Sequence, residues 1–164
     1  MGKLELVIES DHVSIYSPKY DGETQTEFEK FMSDNGNLEN PQLRKDFDAI
    51  IAAIKKIIDD CGARENLFRP EGNNIKAIPL CIEQRRGKGV GTLRLYCIRI
   101  SGKIIIIGNG GIKRVKRYED DPILLDIVNK LRSIEHQIFI GTRKIHADYD
   151  DYQKVKMIIE AITI

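Results

Sequence analysis

The stretch LRLYCIRISGKIIIIGNGG, residues 93–111, decides the fold expected for this chain of 164 residues. Residues 93–101 alternate as a strand does, Ser101 and Gly102 form a tight turn, and residues 103–107 continue as a run rich in isoleucine. Residues 75–84 supply a further strand-like run upstream. Short connections between consecutive strands favour antiparallel pairing, so the three runs predict a β-meander.

Upstream of the meander the sequence predicts one strand and two helices. Residues 4–8 alternate as a strand does, and residues 23–35 have modest helical spacing. Asn40 is a good N-cap, and Pro41 occupies the first helical position of an apolar stripe that ends at Gly62. This stripe predicts a long helix that packs against the core.

Downstream of the meander, Asp121 and Pro122 begin another apolar-striped helix, and residues 149–162 have helical spacing. The predicted fold is therefore α+β. An antiparallel β-meander sheet packs, on one face, against N-terminal helices and a C-terminal helix, and an extra helical segment follows. The other face of the sheet, or its rim, is expected to carry the basic residues.

A formal net charge of +1 hides a strong local asymmetry, because residues 83–117 carry ten basic residues and one acidic residue. A segment of one sign in a β-rich region predicts a positive field suited to phosphates. The alternative is that the acidic segments elsewhere in the chain balance this charge in space. The basic members are Arg85, Arg86, Lys88, Arg94, Arg99, Lys103, Lys113, Arg114, Lys116 and Arg117.

Arg94 and Tyr96 share one face of the central predicted strand, whereas Leu93, Leu95 and Cys97 share the other. If the apolar face packs against the core, the arginine and the tyrosine project outward from an open sheet face. An arginine beside an aromatic ring can clamp a phosphate and stack a base. The alternative is a surface arginine whose aliphatic stem packs over the tyrosine.

The densest basic patch follows the glycines of residues 108–111, which let the backbone turn sharply and leave room for a ligand. The patch consists of Lys113, Arg114, Lys116 and Arg117, with Tyr118 next in the chain. It indicates either a phosphate-binding segment or ordinary solubility charges before the next helix.

Composition excludes several classes of protein. No apolar run approaches the roughly 20 residues of a transmembrane helix, so no membrane partner is expected and the default location is cytoplasmic. The cysteines Cys61, Cys81 and Cys97 lie too far apart in the chain for a paired zinc-binding motif. We therefore expect neither a metal nor a cofactor.

Three consecutive segments resemble the RelE/HigB-type toxin superfamily, and in particular its HigB-like, phage-derived branch. The segments are IKAIPLCIEQ (residues 75–84), LRLYCIRISGKIIII (93–107) and GNGGIKRVKRYEDDP (108–122). Leu93-Arg94-Leu95-Tyr96 resembles a strand motif of that branch, and Gly111-Ile112-Lys113-Arg114 stands where its G-F-x-K-K segment would be. The resemblance spans residues 40–138, about 60% of the chain. It implies one RelE-like domain over residues 1–164, with residues 1–20 and 141–164 as extensions.

The resemblance implies a ribonuclease that acts on mRNA in the ribosome and is held inactive by a cognate antitoxin protein. In such enzymes the ribose 2′-OH attacks the adjacent phosphate, and basic side chains stabilise the charge that develops. By position, Arg94 would contact the scissile phosphate, Lys113 and Arg114 would stabilise the developing charge, and Tyr118 would orient or stack the substrate. Further RNA contacts are expected from Arg85, Arg86, Lys88, Tyr96, Arg99, Lys116 and Arg117.

Two other functions remain open on the sequence. The first is a non-catalytic RNA- or protein-binding module of the same fold, whose basic residues are dispersed or covered by the terminal segments. The second is an oligomerisation domain, in which residues 141–164 pack against a partner and a homodimer forms. The enzyme hypothesis differs from both because it requires Arg94, Lys113 and Arg114 to converge in one concave site.

Overall fold

The computed structural model describes residues 1–72, 74–79 and 89–164. The strands in this part of the chain are β1 (Lys3–Glu9), β2 (Ser14–Lys19), β3 (Arg69–Pro70), β4 (Ile75–Ile78), β5 (Thr92–Arg99) and β6 (Ile104–Lys113). The α-helices are α1 (Glu27–Asn35), α2 (Pro41–Lys56), α3 (Pro122–Lys144) and α4 (Tyr152–Ala161). A π-helical turn, Ile57–Cys61, continues α2, and 3-10 turns lie at Glu65–Leu67 and Tyr118–Asp120.

One sheet joins the six strands in the order β1-β2-β6-β5-β4-β3. The pairs β4–β5 and β5–β6 are antiparallel, which confirms the predicted meander. The sheet as a whole is mixed, because β2 lies parallel to β6 with Ser14 opposite Ile104. The first 20 residues, expected to be an extension, thus provide two strands of the sheet.

Helices cover both faces of the sheet, so the expectation that they lie on one face is wrong. On the first face α1 and α2 pack on β2, β5 and β6. The strand residues in this core are Ile15, Leu93, Leu95, Cys97, Ile105 and Ile107. On the second face α3 and α4 pack on Tyr16, Tyr96, Ile98, Ile104 and Ile106. Alternate side chains of β5 and β6 are apolar on both sides, as a sheet buried between two helical layers requires.

Polar caps fix where the helices begin. The Asn40 side chain accepts hydrogen bonds from the backbone N–H groups of Gln42 and Leu43, which confirms the predicted start of α2. The Asp121 carboxylate caps α3 in the same way. The π-helical turn after α2 ends at Gly62, where φ is 67°, as its predicted role as a stop requires. None of the helices in the described part of the chain combines the length and the apolar character needed to cross a membrane.

The last helix, α4, completes the second layer beside β1 and β2, and it confirms the helical spacing of residues 149–162. Val155 and Ile159 are fully buried there. The Tyr16 hydroxyl donates a 3.0 Å hydrogen bond to Glu160, and the hydroxyls of Ser14 and Tyr152 lie 2.7 Å apart. Helix α4 therefore packs against the core of this fold through Val155 and Ile159.

Candidate functional site

A buried arginine without a partner marks the candidate site. Arg94 lies on β5 and is only 1% exposed, and Nε, Nη1 and Nη2 have no hydrogen-bond partner in the described part of the chain. It was expected on an open sheet face, but α3 covers the face that it shares with Tyr96. A buried guanidinium without a partner destabilises a fold unless an anion completes it. This side chain is therefore suited to hold an anion.

Two further cations act on Arg94, one from the adjacent strand β6 and one from β3, two strands away. Lys113 at the end of β6 and Arg69 on β3 are both half-buried. Burial lowers the pKa of Lys113, and the positive charges of Arg94 and Arg69 lower it further, whereas Glu71 opposes the shift. Burial also lowers the pKa of Arg94, and Arg69 adds to that effect. Because the positive charges of Arg69, Arg94 and Lys113 repel one another, binding of a negative group among them is favoured.

One carboxylate lies among these cations. The Glu71 side chain is 9% exposed, and its Oε1 lies 3.5 Å from Arg69 Nε without a hydrogen-bond partner in the described residues. Burial raises the pKa of Glu71, while Arg69, Lys113 and Arg94 each pull it down. A carboxyl group whose pKa is raised in this way is a candidate proton acceptor.

Two tyrosines complete the group. The Tyr96 and Tyr118 rings are 6.1 Å apart in an edge-to-face arrangement. The Tyr118 hydroxyl donates to the Glu71 carbonyl at 3.3 Å and accepts a 2.7 Å hydrogen bond from Arg132 Nη2 on α3. The Tyr96 hydroxyl has no partner in the described part of the chain, and burial raises its pKa. Both phenols therefore keep their protons and can donate hydrogen bonds.

We call this group the Arg94 cluster. It consists of Arg69, Glu71, Arg94, Tyr96, Lys113, Tyr118 and Arg132. Of the four residues predicted to be catalytic, Arg94, Lys113 and Tyr118 belong to it, and so does Tyr96 from the predicted RNA contacts.

The other predicted residues lie elsewhere. Arg114 is exposed and does not belong to the Arg94 cluster, so only Arg94 and Lys113 of the three residues that the enzyme hypothesis requires to converge lie together. Arg99, at the opposite end of β5, donates a 2.6 Å hydrogen bond to the Ala63 carbonyl. Lys116 and Arg117 are exposed, and Arg117 pairs with Glu119 at 3.3 Å. The predicted contacts Arg85, Arg86 and Lys88 lie outside the described residues.

Sequence reasoning missed Arg69, Glu71 and Arg132. Arg69 lies on the short edge strand β3 and Glu71 directly follows it, in a region whose sequence resembles a loop, and no motif marks them. Arg132 has a visible signal, because it lies four residues after the buried Val128 on a helix and therefore shares its face. A charged residue on an apolar helix face indicates a buried polar site.

A cavity of about 270 Å³ shares no residue with the Arg94 cluster. It lies between α1 and α3 at the glycine-rich part of β6, and Glu27, Asp34, Asp126 and Lys130 line it. The Asn109 side chain closes part of it by donating a 2.9 Å hydrogen bond to Glu27. Its acidic lining does not suit a phosphate.

The chain matches no protein-family model, no curated protein and no solved structure.

Proposed function

We propose that the protein is a metal-independent ribonuclease and that the Arg94 cluster is its active site. The observation that carries this proposal is the buried Arg94 guanidinium, which has no hydrogen-bond partner among the described residues and lies with Lys113, Glu71 and Tyr118. Phosphodiester transfer needs cations where charge develops, a proton acceptor and a proton donor. The cluster holds each of these groups.

The reaction follows from the chemistry of these side chains. The Glu71 carboxylate takes the proton of a ribose 2′-OH, and the 2′-oxygen forms a bond to the adjacent phosphorus. The bond from phosphorus to the 5′-oxygen breaks, and that oxygen receives a proton from Lys113. The lowered pKa of Lys113 makes its ammonium group a stronger acid than an ordinary lysine. The products are a 2′,3′-cyclic phosphate and a 5′-hydroxyl end. Arg94 stabilises the extra negative charge on the phosphoryl oxygens, and Tyr118 holds the Glu71 backbone in place.

The resemblance to RelE/HigB-type toxins adds the substrate and the partner. We propose mRNA on the ribosome as the substrate and a cognate antitoxin protein as the inhibitor. Support comes from the place of Arg94, Lys113 and Tyr118, which were assigned from that resemblance and lie in one cluster. The RelE-like fold itself belongs to this proposal, as does a homodimer.

A second candidate is a binding module that holds RNA without cleaving it. The burial of Arg94 favours it when the RNA is held by a terminal phosphate, because a guanidinium that is 1% exposed admits one small anionic group more easily than a continuous chain. The two candidates share the phosphate-binding residues. They differ in whether Glu71 acts on a ribose hydroxyl.

Purified protein incubated with a defined RNA tests the ribonuclease proposal. We expect cyclic-phosphate ends by mass spectrometry, and no cut where the ribose before the scissile phosphate is 2′-deoxy. Glu71→Gln and Arg94→Gln should each lower the rate by about 100-fold or more, as loss of a proton acceptor or a charge-stabilising donor does. Lys103→Gln, an exposed lysine near the opposite end of β6, is the matched control. Cleavage at 2′-deoxy positions, or unchanged rates in both cluster variants, would refute the mechanism.

A further inference from the structure

Among the described residues, positive charges outnumber negative charges in the Arg94 cluster. Around Arg94 the described residues place two other cations, Arg69 and Lys113, against the single carboxylate of Glu71. The Glu119 carboxylate also acts on Glu71 and Lys113, but it is exposed and already pairs with Arg117 at 3.3 Å. Asp46 acts from the first face of the sheet, where it accepts a 3.0 Å hydrogen bond from the Leu93 N–H. Arg132, the fourth cation of the cluster, already donates a 2.7 Å hydrogen bond to the Tyr118 hydroxyl. The described part of the cluster therefore has at least three cations, Arg69, Arg94 and Lys113, for one carboxylate.

Counted over the described residues, the excess is therefore at least two positive charges. We propose that the Arg94 cluster binds a phosphoryl group with two negative charges, as in a phosphomonoester, in preference to the singly charged phosphodiester. This proposal rests on the proposed function only in taking RNA as the source of the phosphate. The donors suit such a group, since Arg94 offers three unpartnered nitrogens and the Tyr96 hydroxyl is also unpartnered among the described residues.

The burial of Arg94 supports the same ligand. A phosphate inside a polynucleotide needs an exit for the chain on both sides, whereas a terminal phosphate needs one. A guanidinium that is 1% exposed fits the terminal group better, and this favours the binding module over the ribonuclease. The ligand class is therefore a phosphomonoester, either at the end of an RNA or as a small molecule.

A preference for two charges also agrees with catalysis. Attack by a deprotonated 2′-oxygen adds a second negative charge to a diester that begins with one. A site that binds the doubly charged group more tightly stabilises the transition state more than the substrate. An RNA that ends in a phosphate should then bind more tightly than the same RNA with a hydroxyl end.

Titration calorimetry with the full chain at about pH 8 tests the preference directly, since a phosphomonoester loses its second proton with a pKa of about 6. The probes are methyl phosphate, which is doubly charged, and dimethyl phosphate, which is singly charged. We expect methyl phosphate to bind at least about tenfold more tightly. An additional unit charge at about 4 Å from a cation near a protein surface contributes more than the 1.4 kcal/mol that corresponds to a tenfold change in affinity. Equal affinities, or no binding of methyl phosphate, would overturn the proposal.

Two variants assign the binding to the cluster. Lys113→Gln should lose most of the preference, and because Lys113 is half-buried at a strand end this change is compatible with folding. Arg94→Gln should abolish binding. The matched control Lys103→Gln removes the same charge near the opposite end of β6 and should bind as the wild type does. An unchanged preference in Lys113→Gln contradicts the proposal.

Two RNA oligomers of one sequence, with a 3′-phosphate or a 3′-hydroxyl end, identify the source of the phosphate. Tighter binding of the phosphate-ended oligomer assigns the site to an RNA end. Equal binding of the two oligomers, with methyl phosphate still bound, assigns it to a small phosphomonoester. A protein that prefers methyl phosphate but cleaves no RNA refutes the ribonuclease and leaves this inference. A protein that cleaves RNA without the preference refutes this inference alone.

Discussion

The carbonyl oxygen of Arg94 occupies the space that a side chain at Gly110 would need. A Cβ atom built at Gly110 would overlap this oxygen, because β5 and β6 approach each other closely where their register shifts after Leu95. Asn109 holds the irregular strand by accepting a 2.7 Å hydrogen bond from the Gly110 N–H. The glycine-rich stretch therefore serves the placement of Arg94 within the sheet, and it is part of β6, not a turn after it.

Gly110→Ala should destabilise the fold by about 2 to 4 kcal/mol, because the new methyl group meets backbone that cannot move without breaking the strand pair. Urea denaturation measures the free energy of unfolding. Gly111→Ala is the control, since its Cβ would meet only Leu124 Cδ2 at 3.3 Å, and its effect should be smaller. A larger effect at Gly111 than at Gly110 would be incompatible with this geometry.

Arg94→Met should stabilise the folded protein in the absence of ligand, by about 1 to 3 kcal/mol. The change replaces a buried charge, unpartnered among the described residues, with an apolar chain of similar length. The same variant should lose phosphate binding, so stability and function change in opposite directions. Arg99→Met is the contrasting control, because it removes a 2.6 Å hydrogen bond to Ala63 and should destabilise by about 1 kcal/mol. A destabilised Arg94→Met protein contradicts the assignment of Arg94 as a ligand-binding group.

The stability of the protein should depend on pH through Glu71. Burial raises the pKa of this carboxyl above 4.5 in the folded state, so the folded protein binds its proton more tightly than the unfolded chain. The stability that this proton contributes is present below about pH 4.5 and is lost as the pH rises through the folded pKa. Relative to Glu71→Gln, the wild type should lose free energy of unfolding over that window. Urea titrations between about pH 4 and pH 8 measure the difference.

Glu119→Gln provides the control of opposite sign. A hydrogen bond from its own backbone N–H and the charge of Arg117 lower the pKa of Glu119. Its stabilising effect is therefore present above about pH 4.5 and is lost as the pH falls through the folded pKa. If the wild type and Glu71→Gln follow the same pH dependence, Glu71 is not a buried carboxyl.

Ile159→Ala should destabilise the protein by about 2 to 5 kcal/mol, because this α4 side chain is fully buried against the second face of the sheet. Met157 lies on the same helix and is 70% exposed, so Met157→Ala should change the free energy of unfolding by no more than about 0.5 kcal/mol. Thermal denaturation of both variants measures the contrast. Equal and small effects would mean that α4 is an extension outside the core, as the resemblance implied.

The main helices and the meander were predictable because local signals specify them. Asn40 and Pro41 mark the start of α2 and Asp121 that of α3, and the turn at Ser101 and Gly102 joins β5 to β6. The parallel pair of β2 and β6 was not predictable in this way. It joins residues about 90 positions apart, and no local pattern reports such a contact.

The second helical layer had a signal that was read incorrectly. Residues 93–100 are apolar on both faces except for Arg94 and Arg99, a pattern typical of a strand that is buried on both sides. Treating one face as open placed Arg94 on the surface. The convergence of Arg94, Lys113 and Tyr118 could be anticipated, because one meander brings them together. Glu71 joins them only through the pairing of the short edge strand β3 with β4.

Primer extension of mRNA in a cell-free translation reaction tests the central claim most directly. The reaction receives wild-type protein, Arg94→Gln or Lys103→Gln, each in excess over ribosomes. We predict new 5′ ends spaced by codons with the wild type and with Lys103→Gln, and none with Arg94→Gln. Intact mRNA and unimpeded translation with the wild-type protein would contradict the account.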